Sequence, residues 1–466
     1  MNELIINLNA KSNKPLYEQI YEYIKQDICE GNLACGERLP STRALAKFLE
    51  VSRSTVELSY EQLLSEGYIE SIPCKGFYVC ELEGLYRQIA WKAPDWIPVK
   101  LEKKYRFDFS PNGIDLQSFP YNIWRKLSKE ILLDDRSELF KSGNVQGEEE
   151  LRYVIQNYLH QARGVKCDID QIVVGAGNEY LLMLLEIILG KDHTIAFENP
   201  TYKQAYRLFE NLSYDVQTVD VDKHGIQIDK LQESSANLAY VMPSHQYPLG
   251  IVMPIKRRLE LLKWAEESEN RYIIEDDYDS EFRYKGKPIP ALQGYDVNDK
   301  VIYLGTFSRA VAPAIRISYM VLPKSLITSY QQKCGYLSCT VPKIDQFIVK
   351  EFIEQGHFER HLNKMRALYK SRHDVLVSQL KSLSHVCHIT GEHAGVHLLL
   401  HFNGNCTEKE MIELAKERGI KVYGLSEYYV DGHYQKDIVI LLGYANMNEK
   451  DIVQAIQLLK EAWKEI

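Results

Sequence analysis

No stretch of this 466-residue sequence stays apolar for the roughly 18 residues that a membrane-spanning helix needs. The opening MNELIINLNAKSNK lacks a long apolar core and a small-residue cleavage site, so no signal peptide is expected. Cysteines number nine, an odd count, and form no CxxC pair. A zinc site or disulfide framework is therefore not expected, nor any other metal site, and a reduced, cytoplasmic protein fits best. Internal repeats and low-complexity tracts are missing as well. A net charge of −8 argues against a general polyanion binder but leaves room for a local basic patch. What is present is ordinary globular material. Apolar residues make up 45% and charged residues 26%, which excludes whole-chain disorder. The length predicts two or three domains.

Residues 1–80 form the first of these. Leu16, Ile20, Ile24 and Ile28 recur every four residues and predict an amphipathic helix. Ser41 can cap a short helix carrying Leu45, Ala46 and Leu49. Ser52 can cap a third, with Val56, Tyr60, Leu63 and Leu64 on one face and Gly67 at its end. Tyr68–Ser71 and Phe77–Cys80 read as short strands around the turn Pro73-Cys74-Lys75-Gly76. Three helices and a two-stranded ribbon make a winged helix-turn-helix. Residues 81–106, with Trp91, Pro94, Trp96 and Pro98, read as a linker. Residues 107–466 alternate apolar strands with helical patterns. Ile172–Gly175, Thr194–Phe197, Leu238–Met242, Tyr272–Glu275, Val301–Leu304 and Ile317–Leu322 are the expected strands. Tyr180–Leu189, Lys256–Glu267 and about 448–466 are expected helices. The pattern predicts a mostly parallel sheet with helices on both faces.

A recognition helix needs small polar and basic residues where its N-terminus enters the major groove. Ser52, Arg53, Ser54 and Thr55 meet that need, with helix N–H groups available to phosphate. The blocks LPSTRALA (39–46), VSRSTVELSYEQLLSEGYI (51–69) and KGFYV (75–79) resemble the GntR-type winged helix. That resemblance implies a double-stranded DNA operator as partner, contacted by Arg43, Arg53, Thr55, Lys75 and Gly76. Against it stands the charge of residues 1–80, eight Lys+Arg and eleven Asp+Glu. The competing reading is a protein-interaction module. However, Arg38, Arg43, Lys47, Arg53 and Lys75 fall in the groove-facing parts.

In the larger region, short motifs sit at strand ends, where open α/β sheets bind ligands. Gly175-Ala176-Gly177-Asn178 follows a strand and opens a helix, a phosphate-holding arrangement. YIIEDDY (272–278) puts acids and a tyrosine directly after a buried strand. Thr306, Ser308 and Arg316 follow the next one, and Arg316 can fork onto phosphate oxygens. With FDFSPNGIDLQSFP (107–120), ENPTY (198–202), MPSHQYPLG (242–250) and YLGTFSRAVAPAIRISYMVLP (303–323), these resemble fold-type I pyridoxal-phosphate enzymes of the aminotransferase class. The full chain thus resembles a MocR-type regulator: a GntR winged helix joined to an aminotransferase-like domain that binds a small-molecule effector.

That resemblance implies roles. Gly177 and Asn178 hold the cofactor phosphate, with Thr306, Ser308 and Arg316 completing the cup. Tyr202 stacks on the pyridine ring, Asp276 pairs with the ring nitrogen, and Tyr278 meets the 3′-oxygen. His245-Gln246-Tyr247 lines the cofactor, with no indication of which of the three reaches it. It also implies a homodimer, which we expect to be head-to-tail. Two positions depart from the pattern. The family's lysine, which forms the Schiff base with the cofactor aldehyde, is Arg309 here. A guanidinium stays protonated and is a poor amine nucleophile, so no catalytic residue is assigned. And no arginine follows Arg418, where aminotransferases hold the substrate carboxylate. The expectation is a regulator that senses pyridoxal phosphate, held non-covalently, or a related anionic or amino-acid ligand. The alternative is a working aminotransferase.

Overall fold

The computed structural model describes residues 6–9, 14–81, 105–133, 137–284, 289–383, 385–392, 394–404, 406–430 and 438–464. The chain divides into two compact units, Met1–Glu102 and Lys103–Ile466. Residues 82–104 of the expected linker lie outside the described residues.

The first unit has helices α1 (Leu16–Glu30), α2 (Thr42–Phe48) and α3 (Arg53–Ser65), then strands β1 (Ile69–Ile72) and β2 (Gly76–Val79). Ile20, Ile24 and Ile28 of α1 are buried with Leu45, Val56, Tyr60 and Leu63 in one core. Each such aliphatic side chain contributes about 1.5–3 kcal/mol when fully buried. Ser41 Oγ accepts from Ala44 N and Ser52 Oγ from Thr55 N, so both expected caps form. Tyr60 Oη donates to Pro40 O at 2.9 Å and pins the turn before α2. The antiparallel ribbon runs from Ile69↔Val79 to Ile72↔Gly76. It differs by one residue at each end from the expected 68–71 and 77–80. Tyr68 is drawn back to α3, its N–H donating to Leu63 O, while Tyr78 gains a further bridge to Arg38.

The second unit is built on an eight-stranded sheet. Its strands are β3 (Ile172–Gly175), β4 (Thr194–Asn199), β5 (Asp215–Asp222), β6 (Gly225–Ile226), β7 (Leu238–Val241), β8 (Tyr272–Asp277), β9 (Val301–Thr306) and β10 (Ser318–Val321). The order is β3-β10-β9-β8-β7-β4-β5-β6. Strands β9, β8, β7, β4 and β5 are mutually parallel. β10 is not: it runs antiparallel between β9 and β3. Successive residues enter opposite layers, as strand geometry requires. Val173 and Met320 face one cluster; Ile172, Val174, Tyr319 and Val321 face the other. The sheet is therefore buried on both faces. A second, four-stranded antiparallel sheet was not foreseen. It joins Cys387–Thr390, His397–Phe402, Ile438–Gly443 and Tyr423–Gly424 and packs with helices His357–Leu380 and Glu449–Ala462.

Candidate functional site

The antiparallel course of β10 has a consequence for the site. Strands β3, β4, β7, β8 and β9 end at one edge of the sheet, and β10 begins there. Loops and caps from six strands thus converge. The cavity they enclose, of about 250 Å³, is lined by Gly177, Asn178, Tyr202, Asp276, Tyr278, Thr306, Ser308, Arg309 and Arg316. All the residues named from sequence for a cofactor line it. Tyr247 and Asn112 do too.

The three acids of YIIEDDY separate by strand alternation. Glu275 accepts from Leu292 N and Gln293 N and braces a loop. Asp277 accepts from Arg163 Nε at 2.7 Å and Tyr303 Oη at 2.6 Å. Asp276, on the opposite face, meets the cavity. It accepts from Tyr240 Oη and, at 3.3 Å, from Asn178 Nδ2. Burial pushes its carboxyl up to about 7; Tyr240 opposes this, the neighbouring Asp277 and Asp279 add to it, and Arg309 opposes it.

Tyr278 Oη lies 3.0 Å from His245 Nδ1, which also lies 2.9 Å from Asp279 Oδ2. This buried pair, absent from the sequence reading, backs the tyrosine. Of the His245-Gln246-Tyr247 trio, Tyr247 reaches the cavity. Its hydroxyl donates to Tyr428. Gln246 instead donates to Pro200 O, and its Oε1 accepts from Leu249 N to close a turn.

At the other end, Gly177 (φ +97°) is the N-cap of helix Asn178–Leu189. A Cβ there would lie 2.1 Å from Arg316 Nη2, so only glycine admits the guanidinium. Arg316 donates to Ala176 O at 3.1 Å and to Glu179 Oε2 at 2.7 Å. Thr306 Oγ1 accepts from Ser308 N and Ser318 Oγ. Arg309 donates through Nη2 to Asn112 Oδ1 at 2.5 Å, and its guanidinium lies over the Tyr278 ring, 5.6 Å from the centroid. Three buried atoms on this wall have no hydrogen-bond partner: Asn178 Oδ1, Ser308 Oγ and Arg309 Nη1. Buried polar groups are seldom left so. Their residues line the cavity, and an acceptor, a hydroxyl and a cationic donor in its wall fit a pyridoxal-phosphate-sized ligand.

Near the region searched for a carboxylate-holding arginine, Ile438–Gly443 is a buried strand and Tyr444 Oη donates to Gly395 O. Asn446 Nδ2 donates to Asp108 O. Among the described residues no lysine lines the cavity. Lys324 is ion-paired to Asp168, and Lys285 lies outside the described residues.

In the first unit, Ser52, Arg53, Ser54 and Thr55 cluster at the start of α3. The Ser52 hydroxyl bonds Ser54 and Thr55. Arg53 Nε donates to Glu57 Oε1 at 2.7 Å, an exposed i,i+4 ion pair. Arg43 is exposed, and Lys75 is exposed at the ribbon tip, between Cys74 (φ +63°) and Gly76 (φ +112°).

Comparison with known proteins agrees with both units. Residues 16–79 match the bacterial regulatory proteins of the gntR family, and residues 111–459 match aminotransferase class I and II. The HTH-type transcriptional regulator YdeL of Bacillus subtilis (strain 168) is 41% identical over 98% of each chain. The probable rhizopine catabolism regulatory protein MocR of Rhizobium meliloti is 30% identical over 98% of this chain and 95% of that one. A crystal structure of Pyrococcus horikoshii kynurenine aminotransferase has 25% identity and a TM-score of 0.70, covering 78% of this chain and 92% of that one. Fold, site and relatives together define DNA-binding transcription regulators with an aminotransferase-like domain. The chain belongs to that family, the MocR-type gntR regulators. Pyridoxal phosphate binding is what an aminotransferase class I and II fold implies for the family. Among the described residues no helix is long and apolar enough to cross a membrane, and no group of three or more His, Cys, Asp or Glu is placed to hold a metal ion.

Proposed function

We propose that the aminotransferase-like unit is a sensor that holds pyridoxal phosphate, or a closely related anionic ligand, without a covalent bond, and that its occupancy sets operator binding by the winged helix. The observation that carries this reading is Arg309. It stands at the Schiff-base position of a cavity otherwise furnished for the cofactor. Asp276 would hold the ring nitrogen, Tyr278 the 3′-oxygen, Tyr202 the ring face. Ser308, Thr306, Arg316 and the Gly177–Asn178 helix start would hold the phosphate. Pyridoxal phosphate would supply a phosphate, a ring cation and an aldehyde to these groups. A sensor needs only differential binding between two states, not turnover. Arg43, Ser52, Arg53, Ser54, Thr55, Lys75 and Gly76 form the DNA surface. We place the protein in the cytoplasm as a head-to-tail homodimer.

The alternative, a working aminotransferase, is favoured by the solved relatives and opposed by Arg309. Borohydride treatment of the cofactor-loaded protein decides between them. We expect no cofactor fixed to the chain and no transaminase half-reaction. Arg309→Lys should restore borohydride fixation. A stable adduct in the unmodified protein would overturn the reading.

A further inference from the structure

Arg309 does more than remove a nucleophile. It brings a permanent cation into the cavity, one that no direct ion pair holds among the described residues, although it acts on Asp276 at longer range. Among the described residues no carboxylate lies within ion-pair distance of it. The acids on the cavity wall are engaged elsewhere: Asp276 with Tyr240 and Asn178, Glu179 with Arg316. Asn112 neutralises nothing, being an amide, and occupies only Nη2. Nη1 is buried without an acceptor.

The position of this donor can be read from its neighbours. On a pyridoxal ring, the 4-substituent lies between the 5-phosphomethyl arm and the 3-oxygen. Arg309 follows Ser308, a member of the phosphate cup, and lies over the ring of Tyr278, the residue assigned to the 3-oxygen. On those assignments it would stand beside the 4-substituent. A guanidinium in that place favours an oxygen acceptor. An aminomethyl group, cationic at neutral pH, would put two positive charges together in a confined site.

Resting on the sensor reading above, we propose that Arg309 makes the site selective for the oxidation state of the 4-position. It takes 4-aldehyde and 4-carboxylate pyridoxyl phosphates and rejects the 4-aminomethyl form. The chain would then report the aldehyde form of the cofactor rather than the total pool, by charge and without covalent chemistry. Asn112 is a positioning residue: it accepts from Nη2 and fixes one arm of the guanidinium.

The test is competitive equilibrium dialysis of the full chain with pyridoxal phosphate, pyridoxamine phosphate, 4-pyridoxic acid phosphate and inorganic phosphate. Borohydride controls exclude imines on stray lysines. The aminomethyl form should bind at least about tenfold more weakly than the aldehyde, a modest part of what two unit charges near 4 Å exchange. The 4-carboxylate should bind at least as well as the aldehyde. Arg309→Gln, checked for folding by circular dichroism, should abolish the preference. Asn112→Ala, which keeps the charge but frees the guanidinium, should reduce the preference without abolishing it. Equal binding of the aldehyde and aminomethyl forms would leave the sensor reading intact and overturn this inference. So would a preference that persists in Arg309→Gln, or a borohydride adduct that accounts for it. Binding of phosphate but of no pyridoxyl compound would overturn both.

Discussion

Arg316 and Glu179 illustrate how a phosphate cup is arranged at the level of single side chains. Their ion pair at 2.7 Å is about half exposed on both sides, so it is weakly held and readily exchanged. Glu179 is in the first turn of the helix that Gly177 caps. It thus presents a carboxylate to the arginine that an incoming phosphate needs. Glu179→Gln should raise affinity for a phosphorylated ligand by about two- to fivefold, the scale of one exposed ion pair. Titration of the two proteins side by side checks this; weaker binding by the variant would mean that Glu179 positions Arg316 instead. Asp276 makes the opposite case, a carboxylate whose burial is costly. Its pKa is raised to about 7, from 3.8, chiefly by desolvation. The folded state therefore binds the proton more tightly than the unfolded state does. Stability falls as pH rises from about 4 to about 7 and is level beyond. Asp276→Asn removes that loss. Without ligand, the variant should equal the parent near pH 4 and exceed it above pH 7 by up to about 4 kcal/mol. Urea melts of the large unit across that range measure it. The same change should weaken binding of a ligand with a protonated ring nitrogen.

Single elements differ in how readily the sequence announces them. The strands Ile172–Gly175, Tyr272–Asp277 and Val301–Thr306 are buried on both faces. The apolar runs within them, 172–174, 272–274 and 301–304, were legible as strands of a covered sheet. The direction of Ser318–Val321 was not legible, because an apolar run reads the same in either sense. Only pairing to both neighbours reveals it as antiparallel. Asp215–Asp222 escaped notice for another reason. It lies next to the short outer strand Gly225–Ile226, is largely polar, and has a single fully buried residue, Val219. The C-terminal antiparallel sheet pairs strands across long intervals, which local pattern cannot register. At the site, residues at strand ends were legible from motif and position. Their partners were not. Tyr240 meets Asp276 across 36 positions and Asn112 meets Arg309 across 197. Neither has a composition signal. In the His245–Asp279 pair, His245 lies within MPSHQYPLG and Asp279 directly follows YIIEDDY, yet no spacing rule links them. The departure at Arg309 was the reverse: fully legible, because it breaks an otherwise matching run of residues.

At the scale of the molecule, the two units pose a question of linkage. A winged helix whose module carries net negative charge is poorly served by non-specific attraction to DNA. Its affinity must come from well-placed contacts and from duplication of the module. Dimerisation through the large unit would supply the second. A flexible tether of 26 residues, the length of 81–106, would have an r.m.s. span of about 25–30 Å. Once one module is bound, such a tether would hold the other at an effective concentration in the millimolar range. Full-length protein should therefore bind DNA carrying two half-sites about 10²–10⁴ times more tightly than DNA carrying one. Arg53→Ala should cost about 1–3 kcal/mol per module on specific DNA if its outer nitrogens read a base, and equally on random DNA if they touch only phosphate. A heterodimer of parent and Arg53→Ala chains, isolated with two affinity tags, separates the contributions. On paired half-sites it should fall toward the affinity the parent shows for a single half-site. Gel-shift titrations at fixed salt read both comparisons, and light scattering gives the mass of the bound species. A monomeric mass, or equal affinity for one and two half-sites, would refute the linked-dimer account. Repression or activation would then rest on a single module, and ligand binding in the large unit would have to act through the tether alone.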